Sequence, residues 1–321
     1  MPASLPDTPE RLAIAALAGA RDLVGERPRL EIAVEGAASP SYHGVESASF
    51  LVTAEGGEEP AFFLKVGEPA LSGLLDAGHA FRAASAIADL GLAPRPLRLA
   101  AEEGAILFER LGPEWRPATL DLLSRRDSLA AVIGAFAKVA GGARFGRPAS
   151  VFEGIADMRA LLGPDAATLP PDAWWLFEEV AAIEAAFEAA GSEIRPLHND
   201  PHASNLLFGP GGALRLVDFD RAGDGDPHQQ LGALLNEAFQ FEDDMRLGVE
   251  IAEGAFRPAV FNRCRAYAAA DDLYWGLRAL VLDRLSPRTG LEFRKYAGWR
   301  FLRCRMLLNR PGFEETLRKL G

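Results

Sequence analysis

Cysteine is nearly absent from this sequence. Only Cys264 and Cys304 occur among 321 residues, so neither a disulfide framework nor a cysteine-based zinc site is suggested. Long apolar runs are missing too: no stretch reaches the roughly 18 apolar residues that a membrane-spanning helix needs. Nor is there an excess of basic charge. Lys and Arg number 34 against 45 Asp and Glu, a net charge of −11. That balance argues against general attraction to nucleic acid or an anionic membrane. It leaves room for a small anion held by a local cation. The first residues lack the basic segment and apolar core of a secretory signal, so the expected setting is cytoplasmic. The chain carries no internal repeat or low-complexity segment.

What is present is a 49% hydrophobic, charge-balanced chain with the texture of a folded globule. Thr8-Pro9 reads as a cap and first helical residue. β-prone pieces follow at 30–34, 49–53, 61–66, 97–100 and 105–109, separated by turn material such as Glu55-Gly56-Gly57. One helical stretch, roughly 70–90, interrupts them. Beyond Gly112 the pattern turns helical, over 119–141, 152–163, 172–190, 257–284 and 290–309. The expected architecture is α+β and bilobal. Residues 1–111 would form a small antiparallel-sheet lobe, and 112–321 a larger helical lobe with a short β-hairpin from 206–208 and 214–219.

The chemistry concentrates in RPLHNDPHASNLLF (195–208) and VDFDRAGDGDP (217–227). A zinc reading would take His198 and His202, but Pro201 between them opposes the helical turn that would align them. A plain polar turn fits each residue singly but not Asp200, Asn205 and Asp218 together beside apolar strands. Phosphoryl transfer needs a carboxylate that takes or orients the proton of the attacking hydroxyl. It also needs an amide oxygen and a second carboxylate for Mg²⁺ on the nucleotide phosphates. His-x-Asp-x₄-Asn followed by an Asp at a strand end supplies that set. Asp200 would be the base, Asn205 and Asp218 the metal ligands, and His198 a brace for the loop, with His202 also in support.

These residues resemble the kinase-like phosphotransferases that include aminoglycoside phosphotransferases and choline/ethanolamine kinases. Asn199 between His198 and Asp200 favours the choline/ethanolamine branch. Asp218-Phe219-Asp220 looks like that branch's Asp-x-Glu, with Asp220 a third candidate for the metal. Residues 268–301, containing Leu-Tyr-Trp-Gly-Leu and a later Tyr, are similar to its substrate helices. The resemblance implies a protein-kinase-like fold, ATP and Mg²⁺ as cofactors, and a small hydroxylated acceptor. It also implies Lys65 as the strand lysine that meets the nucleotide phosphates.

Several positions depart from the family pattern. Ala80 stands where a helix glutamate should steady Lys65, which leaves Asp76 or Glu68 as substitutes. The phosphate loop, with Gly44 and Ser47, has one glycine and a Glu46 whose charge would repel phosphate by about 3 kcal/mol at ~6 Å and an effective dielectric near 20. On the acceptor side the resemblance implies Trp275, Tyr296 and Glu237 as an aromatic and acidic site for an amino alcohol. Arg278 replaces a second Trp there. It must point away, pair with Glu237, or serve an anionic ligand. These departures motivate an alternative, a weak or inactive kinase-like protein that binds a ligand or partner. The oligomeric state is left open.

Overall fold

Ten strands and twelve helices build the protein in two unequal parts, seen in a computed structural model that describes residues 8–38, 42–163 and 166–320. The strands are β1 (Arg29–Val34), β2 (Ser47–Thr53), β3 (Phe62–Gly67), β4 (Pro96–Ala100), β5 (Ala105–Glu109), β6 (Arg116–Pro117), β7 (Arg195–Leu197), β8 (Leu206–Phe208), β9 (Leu214–Leu216) and β10 (Gly223–Gly225). The first six helices are α1 (Pro9–Ala18), α2 (Arg21–Val24), α3 (Ala77–Asp89), α4 (Leu120–Leu123), α5 (Arg126–Ala140) and α6 (Val151–Leu162). The others are α7 (Ala173–Ala190), α8 (Pro227–Ala238), α9 (Glu242–Glu253), α10 (Pro258–Leu285), α11 (Phe293–Leu308) and α12 (Phe313–Leu317).

The first five strands form one antiparallel sheet in the order β1-β2-β3-β5-β4. Successive side chains of a strand point to opposite faces, and β5 uses both. Its Leu107 joins Phe50, Leu64 and Val66 under α1. Its Ile106 and Phe108 pack with Ala80, Ala83 and Ile87 of α3 in a core that continues into the helical part. Lys65 lies opposite Ile106 and Ser49 in the ladders, so it shares the α3 face.

The helix expected over roughly 70–90 starts later. Residues Pro69–Leu71 make a single 3₁₀ turn, and α3 begins at Ala77 because the Asp76 carboxylate caps it, accepting from the His79 amide at 2.9 Å. The expected helix 119–141 is two: the Ser124 hydroxyl donates to the Asp121 carbonyl at 2.9 Å where α4 stops. The pairings of β7 with β10 and of β6 with β8, and the helices α8 and α9, add to the expected plan.

α10 runs through the centre of the helical part and is buried from Arg263 to Leu282. Its adjacent buried acids, Asp271 and Asp272, meet the buried Arg300 of α11 at 2.9 and 3.1 Å. Against its other side lies α8, at so close an approach that a Cβ on Gly232 would fall 2.5 Å from the Cys264 carbonyl. α8 carries Gln229 and Gln230, and this packing brings them to the loop after β7. Among the described residues no helix is long and apolar enough to cross a membrane.

Candidate active site

The loop that leaves β7 holds Asn199 in the left-handed region (φ 61°), where Asn is among the more tolerant residues. Two glutamines hold it there. The Asn199 amide donates to Gln230 Oε1 at 2.6 Å, and Gln229 Nε2 donates to Asn199 Oδ1 at 2.7 Å. Gln229 is itself fixed by the Val151 amide and the Ala149 carbonyl, each at 2.9 Å. The loop is thus tied to α8 and to the start of α6.

His198 and His202 do different work. His198 Nε2 lies 2.9 Å from the Val217 carbonyl, which can only accept, so Nε2 carries the proton. Burial lowers the His198 pKa, and the ring stays neutral as a brace between the loop and the strand end before Asp218. His202 instead touches the candidate base: its Nδ1 is 2.5 Å from Asp200 Oδ1. Burial alone would raise the Asp200 carboxyl. His202, with Arg221 adding positive field, holds it down to about 2. Burial alone would lower the His202 pKa, and the Asp200 charge raises it above the ordinary value.

This pair has a definite pH signature. His202 has a raised folded pKa, so its contribution to stability is fully present below the unfolded value, about 6.5, and is lost as pH rises through the folded value. Asp200 has a depressed pKa. Its contribution is present above its unfolded value and is lost only as pH falls through about 2. The melting-temperature gap between the wild type and His202→Gln should therefore be widest near pH 5–6 and narrow on the alkaline side of His202's titration. Thermal denaturation from pH 5 to 9 tests it; a gap constant across that range removes the assigned ion pair.

The candidate oxygen ligands lie on the other side of the loop. Asn205 is buried, its side-chain nitrogen donating to the Asp200 backbone carbonyl at 3.3 Å and its backbone carbonyl accepting from the Val217 amide at 3.0 Å. Asp218 has φ 66°, which turns the chain sharply after β9. Lys65 Nζ stands between Asp218 Oδ1, at 2.6 Å, and Asp220 Oδ2, at 2.7 Å. Burial, joined by the Asp218 charge and opposed by Lys65, raises Asp220 to about 6. Among the described residues no three His, Cys, Asp or Glu groups could hold a metal by themselves. Asn205 and Asp218 are instead a sparse, hard-oxygen pair of the kind that binds Mg²⁺ when phosphate oxygens and water complete the shell.

The expected steadying acids do not reach Lys65. Asp76 is the α3 cap described above, and Glu68 pairs with Arg288 at 3.3 Å. Asp220 takes their place, which accounts for a buried, uncharged Ala80 on α3. In the candidate phosphate loop Gly44 makes the turn (φ 58°), its carbonyl accepting from Arg288. Ser47 is buried where β2 opens opposite Gly67.

Glu46 is not a bare charge facing phosphate. Arg278 binds both its oxygens, and the Tyr42 hydroxyl donates to it at 2.9 Å. Burial would raise the Glu46 carboxyl, and Arg278 lowers it, so it remains ionised. Arg278 also donates to the Tyr274 hydroxyl at 2.9 Å. It does not pair with Glu237. The two departures in the sequence, Glu46 and Arg278, are thus one buried ion pair.

Trp275 and Tyr296 do come together. Tyr42 lies 5.0 Å from Trp275 and 4.7 Å from Tyr296, ring centre to ring centre, and His202 meets Trp275 edge-on at 4.6 Å. Glu237 is half-buried at the end of α8, with its charge felt by His202, Tyr296 and Arg300 and with no partner of its own among the described residues. Sequence reasoning missed Tyr42 and Arg221. A tyrosine beside a turn and an arginine after a strand both look like ordinary surface residues, and neither spacing nor type marks them.

A small sheet over a helical body, with a loop acid beside a lysine–aspartate cluster, defines a kinase-like phosphotransferase. The sequence matches the group described as the phosphotransferase enzyme family over residues 39–270, and the chain belongs to that family. It is an enzyme that transfers a phosphoryl group to a hydroxyl. No curated protein matches it. Among solved structures it is similar to a choline/ethanolamine kinase family protein from Mesorhizobium loti (24% identity, TM-score 0.77, covering 98% of this chain and 99% of that one). It is also similar to the choline kinase LicA from Streptococcus pneumoniae (15%, 0.74, 92% and 98%), whose structure is also known with AMP. A third similar structure is an ethanolamine kinase from Plasmodium vivax (12%, 0.71, 98% and 97%). At these identities the likeness is one of fold.

Proposed function

We propose that this protein is a cytoplasmic, ATP- and Mg²⁺-dependent kinase that phosphorylates the hydroxyl of a choline- or ethanolamine-like amino alcohol or a related small alcohol. The observation that carries the reading is the placing of Asp200 between two unlike surroundings. On one side stand Lys65, Asn205 and Asp218, suited to nucleotide phosphates. On the other is an aromatic cluster of Tyr42, Trp275 and Tyr296 with the unpartnered Glu237 nearby. The fold is shared with enzymes named for choline and ethanolamine, which supports an amine in the acceptor.

In this reading Lys65 leaves its carboxylates to meet the nucleotide phosphates, while Asp218 and Asn205 hold Mg²⁺, which would neutralise charge developing on the phosphoryl oxygens. The acceptor hydroxyl oxygen forms a bond to the γ-phosphorus as the bond from that phosphorus to the ADP oxygen breaks. The hydroxyl proton passes to Asp200 and then to water. A carboxyl held near 2 is a weak base, so Asp200 orients the hydroxyl first and takes its proton late in the transfer. Glu237 holds the ammonium group of the acceptor.

A coupled ADP-release assay over amino alcohols, sugars and aminoglycosides, with Mg²⁺ and ATP, tests this. Turnover is expected with at least one amino alcohol. Turnover only with a sugar or an aminoglycoside overturns the acceptor assignment. No thermal shift with Mg²⁺ and ATP, and no ADP release at all, would favour a kinase-like protein that only binds a ligand or partner.

A further inference from the structure

Arg221 is the side chain that the proposed reaction leaves unused. It follows Asp220 directly and turns back over the acceptor side, its guanidinium carbon 4.0 Å from the centre of the Tyr274 ring and 5.1 Å from that of Trp275. Its one hydrogen bond to protein among the described residues is from Nε to the Asn199 carbonyl, at 3.3 Å. The bond anchors it to the loop that bears Asp200. Both terminal amino groups are left without a protein acceptor there.

Its neighbours are not in this condition. The other arginines against Trp275 and Tyr296 are neutralised, Arg278 by Glu46 and Arg300 by Asp271 and Asp272. Among the described residues Arg221 makes no ion-pair contact with a carboxylate, although it is half-buried; its charge is felt only at longer range, by Asp200 and Asp271. A partly desolvated guanidinium with a free planar fork is matched by a carboxylate or a phosphate. It also repels a cation from the face of Trp275 that it covers, so the ammonium of an acceptor has to sit toward Glu237. The acceptor side therefore offers one positive and one negative group without an ion-pair contact of its own, with Asp200 close to the first.

Resting on the kinase reading above, we infer that the acceptor is a small hydroxylated zwitterion whose anionic group, a carboxylate, is bound by Arg221. Arg221 is then the residue that discriminates such an acceptor from the amino alcohol that lacks the acid. A hydroxylated amino acid has this chemistry. Arg221 stacked on Tyr274 as packing alone would give no such discrimination.

The test uses matched pairs that differ only in the acid: serine with ethanolamine, and homoserine with 3-amino-1-propanol. A further pair, glycerol 3-phosphate with glycerol, asks whether the anion is a phosphate. For the wild type kcat/KM should favour the carboxylate-bearing member of an amine pair by roughly 10- to 100-fold, the usual value of a charge-assisted hydrogen bond. In Arg221→Gln that ratio should collapse toward one, mainly by a rise in KM for the acid, and Arg221→Lys should restore part of it. A wild-type enzyme that prefers the amino alcohol overturns the inference. So does an Arg221→Gln variant that slows both members equally, or a preference found only in the glycerol pair, which makes phosphate the anion. An enzyme that binds Mg²⁺ and ATP but turns over none of these compounds also refutes it, leaving the kinase reading intact. Failure to bind nucleotide refutes the kinase reading itself.

Discussion

Asp200→Asn should reduce kcat by roughly 10²- to 10⁴-fold while the protein stays folded and still binds Mg²⁺ and ATP. That range is what a positioned general base contributes. The amide is the informative substitution because it keeps the shape of the side chain and an oxygen for His202, whose Nδ1 lies 2.5 Å away. Alanine would do more than remove a base. Both changes remove the counter-charge of His202, but alanine also takes away the oxygen that its Nδ1 meets, and a buried polar group left without a partner costs about 1–3 kcal/mol more. Loss of activity in that variant would mix unfolding with lost chemistry. Steady-state kinetics, with a nucleotide titration and a melting curve on the same sample, separate the two. An Asn variant within tenfold of the wild-type kcat would remove Asp200 from the base position.

Asp218→Asn should abolish the Mg²⁺ dependence of nucleotide binding and lower turnover by at least about 100-fold. A metal contributes several kcal/mol by neutralising transferring phosphoryl charge, and each 1.4 kcal/mol is tenfold in rate. Asn tolerates the left-handed backbone that Asp218 occupies at φ 66°, so the turn into Phe219 should survive the change. The substitution also removes one of Lys65's two carboxylates and leaves Asp220, at 2.7 Å, as the other. Asp220→Asn is the natural control. It takes away a partner of Lys65 and the third candidate for the metal but spares Asp218 and Asn205, so it should lower affinity while keeping part of the Mg²⁺ response. Calorimetric titration of a non-hydrolysable ATP analogue with and without Mg²⁺ reads both. An Asp218→Asn variant that keeps the wild-type Mg²⁺ effect would assign the metal elsewhere.

Those two residues were legible because their chemistry is compressed into the 19 positions from 200 to 218. Asp200, Asn205 and Asp218 lie close in sequence, and the apolar strands around them, Leu206–Phe208 and Leu214–Leu216, announce the hairpin that folds one onto another. The five-strand sheet was legible for a similar reason. Short β-prone runs such as 61–66 and 105–109 and the turns between strands are local signals, and they place Lys65 on β3 without reference to the helical part. α8 was harder to see, since buried Gln229, Gln230 and Asn236 interrupt its apolar pattern. Those same residues turn out to hold the loop and the centre of the helical part, through Asn199 and Asp272.

The family, the α+β plan and the candidate acid, amide and lysine of the proposed transfer site follow from the sequence alone, because each rests on neighbours along the chain. Who pairs with whom does not. Glu46 and Arg278 are 232 positions apart, and each looked like a defect until the fold joined them into one buried ion pair. Lys65 finds its second acid 155 positions away at Asp220 and not on α3. Asp76, which seemed available for that task, caps a helix instead. Charge is satisfied through space over a few ångströms, and spacing along a chain carries no information about it once the partners lie on different elements. Only the tertiary structure could show which charges cancel, and that Arg221 and Glu237 are left over at the acceptor side.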